Sequence, residues 1–266
     1  MAAFSINTNA TAMAALRTLT ATQSALGETQ RQVETGLKVA EPKDNPASFT
    51  ISQAMRGDIA AMDAIEEALT FGQATVAMAN AGALKISNIL IDINQKVTQA
   101  FNDGLDTAVL QEEVDSLLAD ITTTVNSTVF NGVNLIDGVS PSLEVLTGLG
   151  GVSQTIPIQD LRLATLGLAT LDLTDPAASL PALEAAETLV GNVLTTLGTA
   201  ANRLDRQAEF TQLLTDKLKE GLGILVDANL AEASAQLQAL QTKEQLGIQS
   251  LSIANARPQS ILQLFK

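Results

Sequence analysis

Residues 62–100 read MDAIEEALTFGQATVAMANAGALKISNILIDINQKVTQA, and two seven-residue lanes run through them. One lane is Met62, Leu69, Val76, Ala83, Leu90 and Val97; the other, offset by three, is Ile65, Gly72, Ala79, Ile86, Ile93 and Ala100. Small and aliphatic residues at both seam positions for more than five heptads predict a long helix with a continuous packing seam. Its start is marked by Asn45, a good N-cap, followed by Pro46 at a first helical position where the missing N–H costs nothing. The breaker cluster Asn102-Asp103-Gly104 marks its stop, so one helix is expected from about 46 to about 102.

Outward from that helix the pattern stays helical on both sides, with one interruption. A second helix fits 106–129 through Leu110, Val114, Leu117 and Ile121. Phe130-Asn131-Gly132 and Asp137-Gly138 are then turn signals. Leu143, Val145 and Thr147 alternate with other residues, Gly148 to Gly151 reads as a hairpin turn, and Gln154 to Gln159, with Pro157, fits an edge strand. A small β-hairpin is expected near 140–160. Helix restarts at Asp175-Pro176 or Ser179, and Leu183, Val190, Leu197, Leu204, Thr211, Leu218 and Leu225 keep heptad spacing. Helix weakens near Gly221, Gly223 and Asp227. A last pair of lanes follows, Leu230, Leu237, Glu244, Leu251 beside Ala233, Leu240, Gly247, Ala254. At the opposite end Leu19, Leu26 and Val33 step by sevens. The expected fold is mainly α: an elongated antiparallel helical bundle or coiled coil with a small β-hairpin in the middle of the chain.

The two ends share a second property. From Met1 to Gly27 the only charged side chain is Arg17, and from Gln245 onward only Arg257 and Lys266 carry charge. All 29 acids and the other bases lie between. A helix with an apolar stripe and an uncharged opposite face suits surroundings of protein rather than water, which points to assembly.

Composition narrows the function classes. The chain has no cysteine and no histidine, which removes disulfides, thiolate chemistry, His-based triads and most zinc sites. No cofactor or metal is expected, and no pair of acids sits in a catalytic context; Glu66-Glu67 and Glu112-Glu113 read as solvated helix faces. An enzyme on a helical scaffold is the disfavoured reading. The pI near 4.3 argues against nucleic acid as partner. No stretch approaches about 18 uninterrupted apolar residues, so no membrane span is expected. The start lacks the pattern of a cleaved signal, so export would use a dedicated exporter.

Several motifs, in order, resemble bacterial flagellin. They are Ile6-Asn7-Thr8-Asn9 with Ala14 and Leu19, then Thr35-Gly36-Leu37-Lys38-Val39, then Lys43-Asp44-Asn45-Pro46-Ala47. Phe130-Asn131-Gly132 with Leu135, Ala201-Asn202-Arg203-Leu204, Ser252-Ile253-Ala254-Asn255 and Pro258-Gln259-Ser260-Ile261-Leu262-Gln263-Leu264-Phe265 complete the set. The large variable outer domain of many flagellins is missing. The resemblance implies a structural subunit that self-assembles into the flagellar filament for motility, secreted and extracellular. The alternative within the family is the hook-filament junction protein; the terminal motif and the Asp44-Asn45-Pro46 linker favour the filament subunit.

The resemblance further implies an inner terminal coiled coil, residues 1–45 with 227–266, and a helical-bundle domain, residues 46–226, holding the hairpin. Polymerisation and inner-core packing are expected from Ile6, Met13, Leu16, Leu19, Leu26, Leu237, Leu240, Leu251, Ile261, Leu264 and Phe265. Partners implied are other copies of the chain, an export chaperone, a filament cap and hook-junction proteins. The patch by which a vertebrate receptor detects flagellins corresponds to residues 88–96. There Leu90 matches a leucine, but Asp92 and Asn94 stand in arginine positions, so weak recognition is expected.

Overall fold

In the computed structural model, residues 9–102 and 104–263 are described, their side chains as far as Ala256. The elements, in order, are α1 (Ala10–Thr35), α2 (Pro46–Gln99), α3 (Thr107–Ser127), β1 (Leu143–Gly148), β2 (Val152–Ile156), α4 (Leu163–Leu166), α5 (Pro176–Val226) and α6 (Leu230–Gln263). Helix dominates, with one small antiparallel hairpin mid-chain, as the periodicity predicts. The chain forms two compact units, Asp58–Lys217 and Met1–Gly57 with Leu218–Lys266, and α2 and α5 contribute to both.

In the unit 58–217, every member of both lanes of α2 is buried; Leu69, Val76, Ala83, Ile86, Leu90, Ile93 and Val97 are fully so. Helices α2 and α5 run antiparallel, because Gln73 Nε2 donates to Asp205 Oδ1 (2.7 Å) and, further on, Asn94 Nδ2 donates to Glu187 Oε1 (2.9 Å). On α5, Leu183, Val190, Leu197, Leu204 and Thr211 are buried as the heptad requires, whereas Leu218 and Leu225 are only half-buried. A straight helix drifts by about 20° per heptad, and after four intervals the inward place has passed to Thr215. In α3, Leu110, Val114 and Ile121 are buried as expected, but Leu118 is buried in place of Leu117. One 18-residue window of α2 reaches a mean hydropathy of 1.3, long and apolar enough to cross a membrane by those measures alone. Of that window 44% is buried in the fold.

Gly72 is a lane member for a steric reason. A Cβ there would stand 2.7 Å from Val145 Cγ2 of β1, so only glycine lets the hairpin close onto α2. Gly72→Ala is expected to cost about 1–3 kcal/mol. Gly57→Ala, where a Cβ meets nothing within 4 Å, should be neutral or stabilise by about 0.5–1 kcal/mol. Urea melts of the two variants check this, and equal midpoints would show that the hairpin gives way freely.

The turn Phe130-Asn131-Gly132 forms as the sequence predicts. Asn131 (φ 47°) and Gly132 (φ 82°) both occupy left-handed conformations, which lets Phe130 and Val133 exchange two backbone hydrogen bonds of 2.9 Å. The Phe130 ring packs on Phe71 of α2, centroids 5.4 Å apart. In the hairpin, Leu143 pairs with Ile156 and Val145 with Gln154, and a bulge between Leu146 and Gly148 precedes the turn at Gly150 and Gly151. Strand β2 starts two residues earlier than the Gln154 expected and ends before Pro157, which has no N–H to pair. Gln207 Nε2 of α5 caps the hairpin by donating to Thr147 O at 2.8 Å. Beyond it, Arg162 grips Asp160 through Nε (2.9 Å) and Nη2 (2.7 Å), and Thr165 Oγ1 adds a third bond at 2.7 Å. That fork holds the Asp160 carboxyl well below the usual carboxylate range. Burial would raise Asp137, but hydrogen bonds from Ser140 and Val139 outweigh it and leave its pKa lowered.

The other unit is built on α1 and α6. Asn45 caps α2 as expected, its Oδ1 accepting from Ser48 N at 3.0 Å. Helix α5 does not break at its glycines but continues to Val226. Gly221 sits under Met55, whose Cε would lie 3.2 Å from an added Cβ.

Candidate self-assembly surface

Helix α1 starts at Asn9, whose Oδ1 accepts from Ala12 N (3.0 Å) while its Nδ2 donates across to Ala254 O of α6 (2.8 Å). One side chain thus caps one terminal helix and ties it to the other. Further along, Gln23 Nε2 donates to Glu244 Oε1 at 3.0 Å. Glu244 is the polar member of the α6 lane, and this bond explains how a carboxylate sits half-buried there. At the far end α1 stops at Gly36 (φ 72°), a left-handed cap that costs glycine nothing. The chain then pairs by main chain alone: Lys38 N donates to Val226 O (2.7 Å), and Ala228 N to Gly36 O (2.8 Å).

Between these ties the helices touch through leucines interleaved with small residues. Leu19, Ala233 and Leu240 are buried, and Gly247 admits Leu19, whose Cδ1 would lie 3.2 Å from an added Cβ. Leu26, Leu237 and Leu251 are half-buried along the same contact. Met13 and Leu16, by contrast, are 49% and 53% exposed. Ile6, Leu264 and Phe265 lie outside the described residues, as does the side chain of Ile261. The sequence reading passed over Leu246 and Ile253, exposed by 55% and 65%. They are seven residues apart, but the same positions further back hold Ala239 and Glu232, so no apolar repeat marks them in the sequence.

The outward face is polar by composition yet hydrogen-bonded within itself. The hydroxyls of Thr18, Thr20 and Thr22 each donate to the carbonyl four residues back, at 2.9–3.1 Å. Thr242 of α6 does the same at 3.0 Å. A hydroxyl already satisfied leaves no orphan donor when another protein surface covers it. The arrangement therefore offers a charge-poor surface, with Met13 and Leu16 exposed and its threonine hydroxyls satisfied, that is cheap to dehydrate. Among the described residues no group of three or more Asp or Glu is placed to hold a metal ion.

The sequence pattern of the bacterial flagellin N-terminal helical region matches residues 6–140, and that of the C-terminal helical region matches residues 180–265. The chain belongs to the bacterial flagellin family. Among its curated relatives, flagellin FljK of Caulobacter vibrioides is 39% identical with both chains fully covered. A flagellin of Brucella melitensis is 33% identical over 98% of this chain and 99% of its own. A solved structure described as a flagellar hook-associated protein of Vibrio parahaemolyticus superposes with a TM-score of 0.58, covering 69% of this chain and 99% of its own. At 15% identity that likeness speaks for the fold alone. No observation favours the hook-junction alternative. This flagellin is a structural subunit of the bacterial flagellar filament, and self-polymerisation is its mode of action.

One expectation from the resemblance needs correction. Leu90, matched to a leucine of the receptor-recognition patch, is 0% exposed and belongs to the bundle core, so it cannot be a surface contact of the folded chain. Asp92 is exposed, while Asn94 is half-buried and bonded to Glu187.

Proposed function

We propose that this flagellin polymerises by burying the outward faces of α1 and α6 against the same helices of neighbouring copies. In this reading residues 1–45 and 227–266 form the inner packing domain, and residues 46–226 the bundle that it carries. Leu19, Leu26, Leu237, Leu240 and Leu251 hold the two helices together. Met13 and Leu16, with Ile6, Ile261, Leu264 and Phe265 nearer the chain ends, face other subunits. The carrying observation is the exposure of Met13 and Leu16 on a helix whose only charge before residue 28 is Arg17. Burying the exposed half of each such side chain is worth about 1 kcal/mol, gained only on assembly. The subunit would leave the cell through a dedicated exporter, with an export chaperone, a filament cap and hook-junction proteins as further partners, and act outside the cell. Hydrogen exchange tests the packing. Backbone amides of α1 and α6 should exchange far more slowly in filaments than in monomers, while the centre of α2 changes little. Equal exchange of α1 in both states would refute terminal packing.

A further inference from the structure

The unit 58–217 carries 21 Asp and Glu against six Lys and Arg, so copies of it brought side by side repel unless opposite charges are made to meet. Two of its six bases share one helix stripe with two apolar side chains. Arg203, Arg206, Phe210 and Leu213 follow one another on α5 at intervals of three and four, one continuous stripe of a helix. All four are exposed, Phe210 by 56% and Leu213 by 57%. Neither arginine makes an ion pair among the described residues, and the acids Asp205, Glu209 and Asp216 fall on the other flank of α5. On α2, Asp63, Glu66 and Glu67 form a second exposed stripe, acidic and likewise unpaired.

The two stripes point away from each other. At about 100° per residue, each stripe is centred roughly 130° from the buried lane of its own helix. Because α2 and α5 are antiparallel, equal rotations of opposite sense along each chain put the stripes on opposite faces of the pair. A cationic, partly apolar face and an acidic face on opposite sides cannot satisfy each other within one molecule. They complement a second copy, in a head-to-tail contact that repeats without using itself up.

We propose that the Arg203, Arg206, Phe210, Leu213 stripe of one subunit docks on the Asp63, Glu66, Glu67 stripe of the next. The contact deepens the polymerisation reading by adding a lateral interface in the bundle to the packing of the terminal helices. The arginine end of one stripe lies nearer the level of Gln73, above the acids, so pairing requires neighbouring copies to be offset by roughly two to three helical turns. A lateral contact with an axial offset builds a helix rather than a flat ring.

The test is charge exchange in the full chain, with both termini intact. Arg203→Glu with Arg206→Glu, and separately Glu66→Lys with Glu67→Lys, should each raise the monomer concentration needed for filament growth by about tenfold or more. Circular dichroism melts of the monomers should be unchanged, since all four positions are exposed. The chain carrying both pairs of substitutions should return to near-normal growth. Growth at the normal concentration from both paired variants would overturn the proposal. So would failure of the fourfold variant to recover, which would mean that the stripes do not face each other. Neither result touches the terminal packing, whose failure shows only in exchange at α1 and in terminal variants.

Discussion

Deleting residues 1–40 will leave a chain that still unfolds cooperatively but no longer extends filaments at any accessible concentration. The deletion removes α1, and with it the partner of α6 and the Gly36 and Lys38 main-chain groups that bond Ala228 and Val226. It leaves the unit 58–217 whole. There the lanes of α2, the buried residues of α3 and the hairpin over Gly72 supply a core within the unit itself. The expected helical signal falls by the loss of α1 and the unpairing of α6, while the main melting transition persists. Loss of that transition would show that the bundle depends on the terminal helices. Normal filaments from the fragment would show that polymerisation does not.

Leu16→Glu should separate subunit folding from assembly more sharply. Leu16 is 53% exposed, so a carboxylate there meets water in the monomer and its melting point should stay within a degree or two of the unmodified chain. In the polymer the same group would be buried without a partner, in every copy. That costs several kcal/mol per subunit and should raise the concentration needed for growth by at least about a hundredfold. Leu240→Glu is the contrast: at 8% exposure it should already lower the melting point of the monomer. Light scattering during seeded growth, with a monomer melt beside it, reads both effects. If Leu16→Glu grew normally, α1 would not be facing protein in the polymer.

What the sequence disclosed was whatever repeats or ends sharply. The α2 lanes, the Asn45 cap and the Phe130-Asn131-Gly132 turn each follow from a side chain whose chemistry allows one local answer. Longer repeats lost phase. On α5 the strict heptad named Leu218 and Leu225, but slow rotation of a 3.6-residue helix against a 3.5-residue pattern moved burial to Thr215. The glycines at 221 and 223 read as a weakening of helix, but α5 runs through both to Val226, because a glycine lowers helix stability by only about 1 kcal/mol and a long helix absorbs that. The assembly surface was half legible. The charge-poor ends do form helices that pack on each other, but whether a terminal leucine faces its partner helix or the outside depends on the angle between two helices, so Leu19 and Leu16 looked alike.

The pairing of Gly36 to Val39 with Val226 to Ala228 left no trace in the sequence at all, because it uses only peptide N–H and C=O groups. That silence has an evolutionary side. Every residue but proline brings the same two groups, so substitutions at Leu37, Lys38, Asp227 and Ala228 preserve the alignment of one chain end against the other, while Gly36 keeps its left-handed turn and Val39 and Val226 their buried places. A lineage is then free to alter the outward faces of α1 and α6, and with them the shape of the filament, while the two helices keep their place. The alignment marks are written in the part of the polypeptide that mutation scarcely edits.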